Sequence, residues 1–116
     1  MTGYLNLAIK TAARSPCHYR VGAVLAKGGR VLAHACNNNR NPPSISPRHA
    51  TFHAEESLLR PIRPPRHSVI YVARIDRDGL PRLAKPCLRC QQYLITKGIT
   101  RAHYTTSTGR GILRLT

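Results

Sequence analysis

Two short stretches of the chain carry residues that could bind a metal ion and move protons. His53-Ala54-Glu55 supplies an imidazole and a carboxylate, and Pro86-Cys87-Leu88-Arg89-Cys90 supplies two thiols three residues apart. One histidine and two cysteines fill three positions of a tetrahedral zinc ion and leave the fourth open for water. Zinc with an open position lowers the pKa of bound water from about 15.7 to about 7, which makes hydroxide available at neutral pH. We therefore interpret His53, Cys87 and Cys90 as zinc ligands of a site that supports hydrolytic attack.

Glu55 follows the histidine by two residues, on the first turn of the same predicted helix. From there its carboxylate could reach the water without ligating the metal, as a general acid and base must. The alternative is a purely structural zinc site, with Cys17 or Cys36 as its fourth ligand. Glu55 favours the catalytic interpretation, because the chain has only four acidic residues and two of them, Glu55 and Glu56, come directly after Ala54.

The composition describes one small domain. The chain has 116 residues, of which 41% are hydrophobic, enough for a single core, so we expect residues 1–116 to form one domain. No apolar run is long enough to span a bilayer, and the N-terminus lacks a secretory signal. Cys17 and Cys36 are interpreted as buried thiols in a reducing compartment. We expect a cytoplasmic protein with no membrane partner.

The net charge is far from zero. Nineteen Lys and Arg residues against four Asp and Glu give +15, and fifteen of the nineteen are arginine. This excess predicts an anionic partner, because it raises the local concentration of phosphate groups and speeds association. A GC-rich genome would also favour arginine codons, and the basic surface would then serve only solubility. The arginines are spread along the chain and form no basic tail.

Periodicity and turn residues predict alternating helices and strands around the two stretches. Residues 37–48 include three prolines and no periodic pattern, which predicts a loop that could form a wall of the substrate site. Pro86 is expected to open a helix, so that both metal-bearing helices begin at the zinc. The predicted elements are a helix over 3–14, strands over 20–25 and 31–36, a helix over 53–59, a strand over 68–75, a helix over 86–97, and strands over 102–106 and 111–115.

With H-A-E and P-C-x-x-C, this order of elements resembles the zinc-dependent cytidine and deoxycytidylate deaminase superfamily. The stretches V-G-A-V with G-R-V-L, Y-V-A-R-I and G-I-T-R-A-H-Y-T-T fall in family order. The resemblance covers nearly the whole chain and is greatest to compact viral and microbial members. It implies a three-layer α-β-α fold, in which a five-stranded mixed sheet carries helices on both faces.

The resemblance also implies contacts with a substrate. Asn37 matches the family asparagine that contacts the sugar or base, with Asn38 as the other register. Ala54 matches the residue whose backbone lies against the base. Phe52, directly before the zinc histidine, is a candidate for stacking on the base. Pro86 belongs to the backbone beside the first cysteine that would hold the base or the nucleophile.

The last two strands are separated only by Ser107-Thr108-Gly109-Arg110. A parallel crossover needs a dozen residues or more, so these strands should form an antiparallel hairpin. In the family, deaminases of tRNA adenosine and of polynucleotide cytosine carry a helix at this point. The free-nucleoside members have the hairpin, as do some toxin-like DNA deaminases.

The resemblance implies a hydrolytic deaminase that converts a cytosine ring to uracil with release of ammonia. In that reaction Glu55 would take a proton from water and pass it to ring N3 and to the departing amine. The hairpin favours cytidine, deoxycytidine or its monophosphate as substrate, whereas the charge favours cytosine or adenine bases in single-stranded DNA or RNA. A catalytically idle binding module held together by zinc is a third hypothesis, which Glu55 disfavours. The oligomeric state is left open, although members often form homo-oligomers through the zinc-bearing helices.

Overall fold

The computed structural model describes residues 3–37 and 54–115 of the chain. Its helices are α1 (Gly3–Ala12), α2 (Ala54–Leu59) and α3 (Leu88–Thr96). Its strands are β1 (Arg20–Lys27), β2 (Arg30–Cys36), β3 (Val69–Ile75), β4 (Pro81–Arg82), β5 (Arg101–Thr105) and β6 (Arg110–Arg114). None of the helices in the described part of the chain is long and apolar enough to cross a membrane.

The strands form one mixed sheet in the order β2-β1-β3-β5-β6. β1 pairs antiparallel with β2 and with β3, whereas β3 and β5 are parallel. The parallel pair requires a crossover connection, and α3 supplies it. β5 and β6 are antiparallel, so the predicted C-terminal hairpin is confirmed.

A short strand adds to the five that the sequence predicts. Residues 76–85 lie between the predicted strand over 68–75 and the predicted helix over 86–97, and Pro81–Arg82 within them form β4, which pairs antiparallel with the end of β3. Two residues cannot show a period in hydrophobicity, so only their pairing with Arg74 and Ile75 identifies the strand.

Alternation along the central strands places helices on both faces of the sheet, which confirms the three-layer arrangement. Successive side chains of a strand point to opposite faces. One face packs against α2 and α3 through a buried cluster that includes Ala23, Leu25, Leu58, Leu59, Ile70, Val72, Leu94 and Ala102. The other packs against α1 through Leu5, Ala8, Val24, Ala26, Val69, Tyr71 and Ala73. Full burial of a large apolar side chain contributes about 1.5–3 kcal/mol, so both layers stabilise the sheet.

Gly22 allows α1 to lie directly against β1. A Cβ atom at this position would lie 2.3 Å from the carbonyl oxygen of Ala8 and 2.4 Å from the amide nitrogen of Ala12. Both are backbone atoms, which cannot rotate away. Ala12, which takes part in this contact, is the last residue of α1. The helix therefore ends two residues before the predicted end at residue 14.

The C-terminus of α3 returns the chain to the sheet through a glycine, Gly98. Gly98 has φ +80°. Its N–H donates to the carbonyl of Ile95 at 3.0 Å, and the N–H of Ile99 donates to the carbonyl of Leu94 at 3.0 Å. These two bonds form a Schellman motif. Leu94 and Ile99 are both fully buried, so the motif directs the chain into β5.

Candidate functional site

The N-terminus of α3 presents the two cysteines. Leu88 is the first helical residue, and Cys87 is the N-cap with extended backbone angles (φ −66°, ψ 166°). The prediction that Pro86 opens the helix is wrong, because this proline precedes the N-cap. Its carbonyl instead accepts a hydrogen bond from Nε2 of Gln91 at 2.9 Å. Since Cys90 lies three residues beyond Cys87, both side chains lie on the same side of the first turn.

The two thiols differ in exposure. Cys87 is exposed and its side chain makes no capping hydrogen bond, whereas Cys90 has no exposed surface. An ion held by both sulfurs would therefore lie where the core meets solvent.

A buried carboxylate lies beside the cysteines. Glu55 is the second residue of α2, and its side chain is only 4% exposed. The pKa of the Cys90 thiol is raised by burial, then by the charges of Glu55 and Cys87 and by hydrogen bonds to both. Groups from two helices thus converge on Cys90.

This donor set fits a zinc ion. Two thiols from one helical turn are ligands that zinc prefers, and a cation would offset the repulsion that raises the Cys90 pKa. Within residues 3–37 and 54–115, no three His, Cys, Asp or Glu side chains meet in a metal-binding group. Cys17 and Cys36 therefore do not complete a three-cysteine site there. The predicted third ligand, His53, directly precedes Ala54 and lies outside the described residues.

Asn37 ties the loop after α1 to β1. Its Oδ1 accepts hydrogen bonds from Oγ of Ser15 at 2.6 Å and from the N–H of Val21 at 2.9 Å. Its Nδ2 donates to the carbonyl of Tyr19 at 2.6 Å. Only one of the amide's four hydrogen-bonding positions is left by these contacts. A substrate contact from Asn37 stays a prediction, and Asn38 lies outside the described residues.

Of the other predicted substrate contacts, two belong to the described residues and one does not. Ala54 is fully buried, and its methyl group belongs to the cluster beneath α2. Pro86 lies one residue before the N-cap of α3. Their roles at the base stay predictions, and Phe52 lies outside the described residues.

Arg74 is a cationic group that the sequence interpretation did not single out. It follows Ile70 and Val72 in the alternation of β3, on the sheet face that carries α2 and α3. It lies near the carboxyl end of the strand, the end of the sheet at which α3 begins. An arginine at an inward position of a buried strand is unusual, and this pattern could have identified it.

The contacts of Arg74 leave part of its guanidinium group available. Its Cζ lies 4.6 Å from the centroid of the Tyr19 ring, within the range of a cation–π interaction. Its Nε is buried and has no hydrogen-bond partner among the described residues. A buried guanidinium N–H needs a hydrogen-bond acceptor, and none of the described residues supplies one to this Nε.

Comparison with known families decides how this site is interpreted. The family model described as "Cytidine and deoxycytidylate deaminase zinc-binding region" matches residues 2–106. The chain belongs to this deaminase family. Zinc is accordingly the metal expected in this chain. A search of curated proteins found no match.

Solved structures of deaminases share the fold. Cytidine deaminase from Burkholderia pseudomallei is 21% identical, with a TM-score of 0.73 over 99% of this chain and 94% of that chain. dCMP deaminase from the cyanophage S-TIM5 in apo form is 22% identical, with a TM-score of 0.65 over 88% and 79%. The structure of the same phage enzyme in complex with dCMP and dUMP is 19% identical, with a TM-score of 0.60 over 88% and 77%. These similarities confirm the predicted deaminase fold.

Proposed function

We propose that this protein, as one domain over residues 1–116, is a hydrolytic deaminase of cytosine in cytidine, deoxycytidine or its monophosphate. The observation that carries the proposal is the convergence of Glu55 with Cys87 and Cys90. A buried carboxylate beside two thiols, at the N-termini of α2 and α3, is suited to proton transfer next to a metal.

The residues of the site have separate roles in this proposal. His53, Cys87 and Cys90 would hold zinc, which supplies Lewis-acid activation of water when it is bound. Glu55 accepts a proton from the attacking water and donates it to ring N3 as the new C4–O bond forms. Glu55 then moves the second proton of that water to the amino nitrogen. The C4–N bond breaks, its electron pair leaves with ammonia, and C4 keeps the oxygen as the carbonyl of uracil.

Two features support a free nucleoside or nucleotide as substrate. β5 and β6 form the antiparallel hairpin found in the free-nucleoside members of the family, with no helix between them. Arg74 offers a guanidinium Nε without a partner in the described part of the chain, at the end of the sheet where α3 begins. Guanidinium groups bind phosphate through charge-assisted hydrogen bonds. Arg74 is therefore our candidate for binding the phosphate of a monophosphate substrate.

An ammonia-release assay of the zinc-loaded protein tests this function. The substrates are cytidine, deoxycytidine, their monophosphates, adenosine, and short cytosine-containing strands of DNA and RNA. We expect ammonia and the matching uracil product from a monomeric cytosine substrate, with the largest kcat/KM among the compounds. Turnover restricted to the strands, or to adenosine, would overturn the substrate assignment. A lack of turnover with every substrate by a protein that carries one zinc would overturn the enzyme assignment.

A further inference from the structure

Within residues 3–37 and 54–115, the sheet face that carries α1 continues over β5 and β6 without a covering helix. α1 packs on β1 and β3 and makes only slight contact with β5. On β5 and β6, Ala102 and Leu113 point to the opposite face, into the cluster with α2 and α3. The alternate residues therefore share the α1 side. We call Arg101, His103, Arg110, Ile112 and Arg114 on this side the β5–β6 basic face.

Strand pairing brings the three arginines of this face together. Arg101 pairs with Arg114, and Arg110 pairs with Thr105 across the hairpin. All three arginines are exposed. Burial lowers the pKa of His103, and the nearby charges of Arg101 and Arg110 lower it further. The three arginines are apart in the sequence, and the pairing of β5 with β6 concentrates their charge on one face.

No aspartate or glutamate of the neighbouring elements offsets this charge. The four acidic residues of the chain are Glu55 and Glu56 in α2, and Asp76 and Asp78 after β3. None belongs to α1, β5 or β6, and α2 lies on the opposite side of the sheet. The β5–β6 basic face is therefore a positive surface, and it lies away from the candidate active site.

At the centre of this face lie the partly buried ring of His103 and the exposed side chain of Ile112, next to the buried aromatic ring of Tyr71 beneath α1. The rings of Tyr71 and His103 stack with their centroids 4.8 Å apart, and Tyr4 packs against Tyr71 at 5.3 Å. Ile112, which pairs with His103, is 56% exposed. Nδ1 of His103 is buried without a hydrogen-bond partner in the described ranges. Cationic groups around an apolar and aromatic centre are typical of surfaces that bind single-stranded nucleic acid.

We propose that the β5–β6 basic face binds the phosphate backbone of single-stranded nucleic acid. Arg110 and Arg114 are four residues apart on one strand, which is about 13 Å at the rise of a β-strand. Cationic side chains spaced along a strand in this way match the spaced phosphates of a nucleic-acid backbone. The sugars and bases between them would contact Ile112 and the edge of His103. This inference does not depend on the proposed deaminase reaction.

A second copy of the chain is a poorer occupant of the same face. Self-association through it would bring two sets of arginines together with no acidic residue among them, which like-charge repulsion disfavours. A membrane rich in anionic lipids would share the charge complementarity, and the experiment below includes it as an outcome.

Binding of a cytosine-free strand tests the proposal separately from catalysis. The probe is fluorescein-labelled oligodeoxythymidine of about 20 nucleotides, measured by fluorescence anisotropy with the full-length, zinc-loaded protein at about 50 and 200 mM salt. The face variant carries R101E, R110E and R114E, and the matched control carries R63E, R66E and R77E. The six arginines are exposed, and both variants change the net charge by the same amount.

We expect the face variant to lose at least about tenfold in affinity at the lower salt, and the control to lose less than about threefold. Three phosphate contacts correspond to a log–log salt slope of about −2, or about twentyfold for a fourfold rise in salt, and the face variant should lose most of that slope. Both variants should keep wild-type circular dichroism and wild-type kcat/KM for deoxycytidine. If the charge reversals unfold either protein, the corresponding Arg→Gln sets replace them, with the same order of affinities expected.

Three results would overturn the proposal. The first is equal weakening in the face variant and the control, since the binding would then be spread over the whole surface. The second is the absence of strand binding by the wild-type protein while it binds vesicles of phosphatidylserine and phosphatidylcholine. The third is a dimer, seen by sedimentation, that the face variant alone dissociates while strand binding stays unchanged.

Discussion

Glu55 lies beside Cys90, and its charge adds to burial in raising the pKa of the thiol, although the two residues are 35 positions apart and belong to different helices. The carboxylate and the thiol are both buried on the sheet face that carries α2 and α3. A buried carboxylate is costly unless it has partners, and this one is placed beside two potential metal ligands. This relationship underlies the assignment of Glu55 to proton transfer and of the cysteines to the metal.

Replacing Glu55 separates catalysis from metal binding. Because its carboxylate is expected to move protons and not to hold zinc, Glu55→Ala should lose at least about 10²–10⁴-fold in kcat. Zinc content and the midpoint of thermal unfolding should stay close to wild type. The adjacent Glu56→Ala variant is the control and should retain activity. If Glu55→Ala kept more than about a tenth of the wild-type rate, the general acid and base would have been misassigned.

Replacing Cys87 should remove the metal. Cys87→Ala leaves a single thiol on the first turn of α3, so zinc measured by elemental analysis should fall well below one equivalent per chain. Thermal stability should fall with it, because metal binding is coupled to folding. Cys36→Ala, at the end of β2, is the control and should keep its zinc. A Cys87→Ala protein with a full equivalent of zinc would contradict the ligand assignment.

Replacing Arg74 should weaken the binding of the monophosphate substrate more than that of the nucleoside. If its guanidinium binds the substrate phosphate, Arg74→Gln should raise KM for the monophosphate about 10–100-fold, the cost of one charge-assisted hydrogen bond. The KM for deoxycytidine should change much less. Arg77→Gln, in the exposed turn after β3, is the control. A similar rise in KM for both substrates would mean that Arg74 supports the fold of the site and does not recognise phosphate.

Acid should destabilise the fold partly through His103. Burial lowers the pKa of this imidazole, and the charges of Arg101 and Arg110 lower it further. In the unfolded chain the pKa of a histidine is about 6.5. Below that pH the unfolded chain binds the proton first, so the free energy of unfolding falls as the pH drops and levels off below the folded pKa. His103→Phe keeps an aromatic ring beside Tyr71 but cannot titrate. Urea unfolding between about pH 7 and 5 should show a smaller loss for this variant, and equal losses would refute the effect.

Gly22 should be intolerant of any side chain. A methyl group there would meet backbone atoms of Ala8 and Ala12 at 2.3 and 2.4 Å, so Gly22→Ala must move α1 away from β1. Overpacking of this kind costs about 1–3 kcal/mol or more, which urea unfolding would detect. Gly109→Ala is the control, because a Cβ atom at Gly109 meets nothing within 4 Å. Comparable destabilisation of the two variants would mean that the α1 contact does not limit this position.

The features that the sequence predicted correctly are local ones. The C-x-x-C spacing is enough to place two thiols on one helical turn, and the glycine at position 98 is enough to end that helix. The short link before β6 permits only an antiparallel hairpin, which the structure has. The β-branched and apolar run over 68–75 predicted the strand that the structure has as β3. In each case the information lies within a few consecutive residues.

The features that were missed depend on residues distant in the chain. β4 exists only through its pairing with β3, and the start of α3 at Leu88 is decided by the N-cap conformation of Cys87. The asparagine assigned to substrate has most of its hydrogen bonds in the loop before β1, because that loop folds back onto it.

The sequence alone indicated the family and gave the candidates for the metal ligands and for the general acid and base, because residue type and spacing along one element carry that information. Tertiary structure alone decided which charges act together. It placed Glu55 against Cys90, left Arg74 over Tyr19, and gathered Arg101, Arg110 and Arg114 on one face of a hairpin. Electrostatic and hydrogen-bond energies depend on distances through space, and only the packing of helices on a sheet sets those distances.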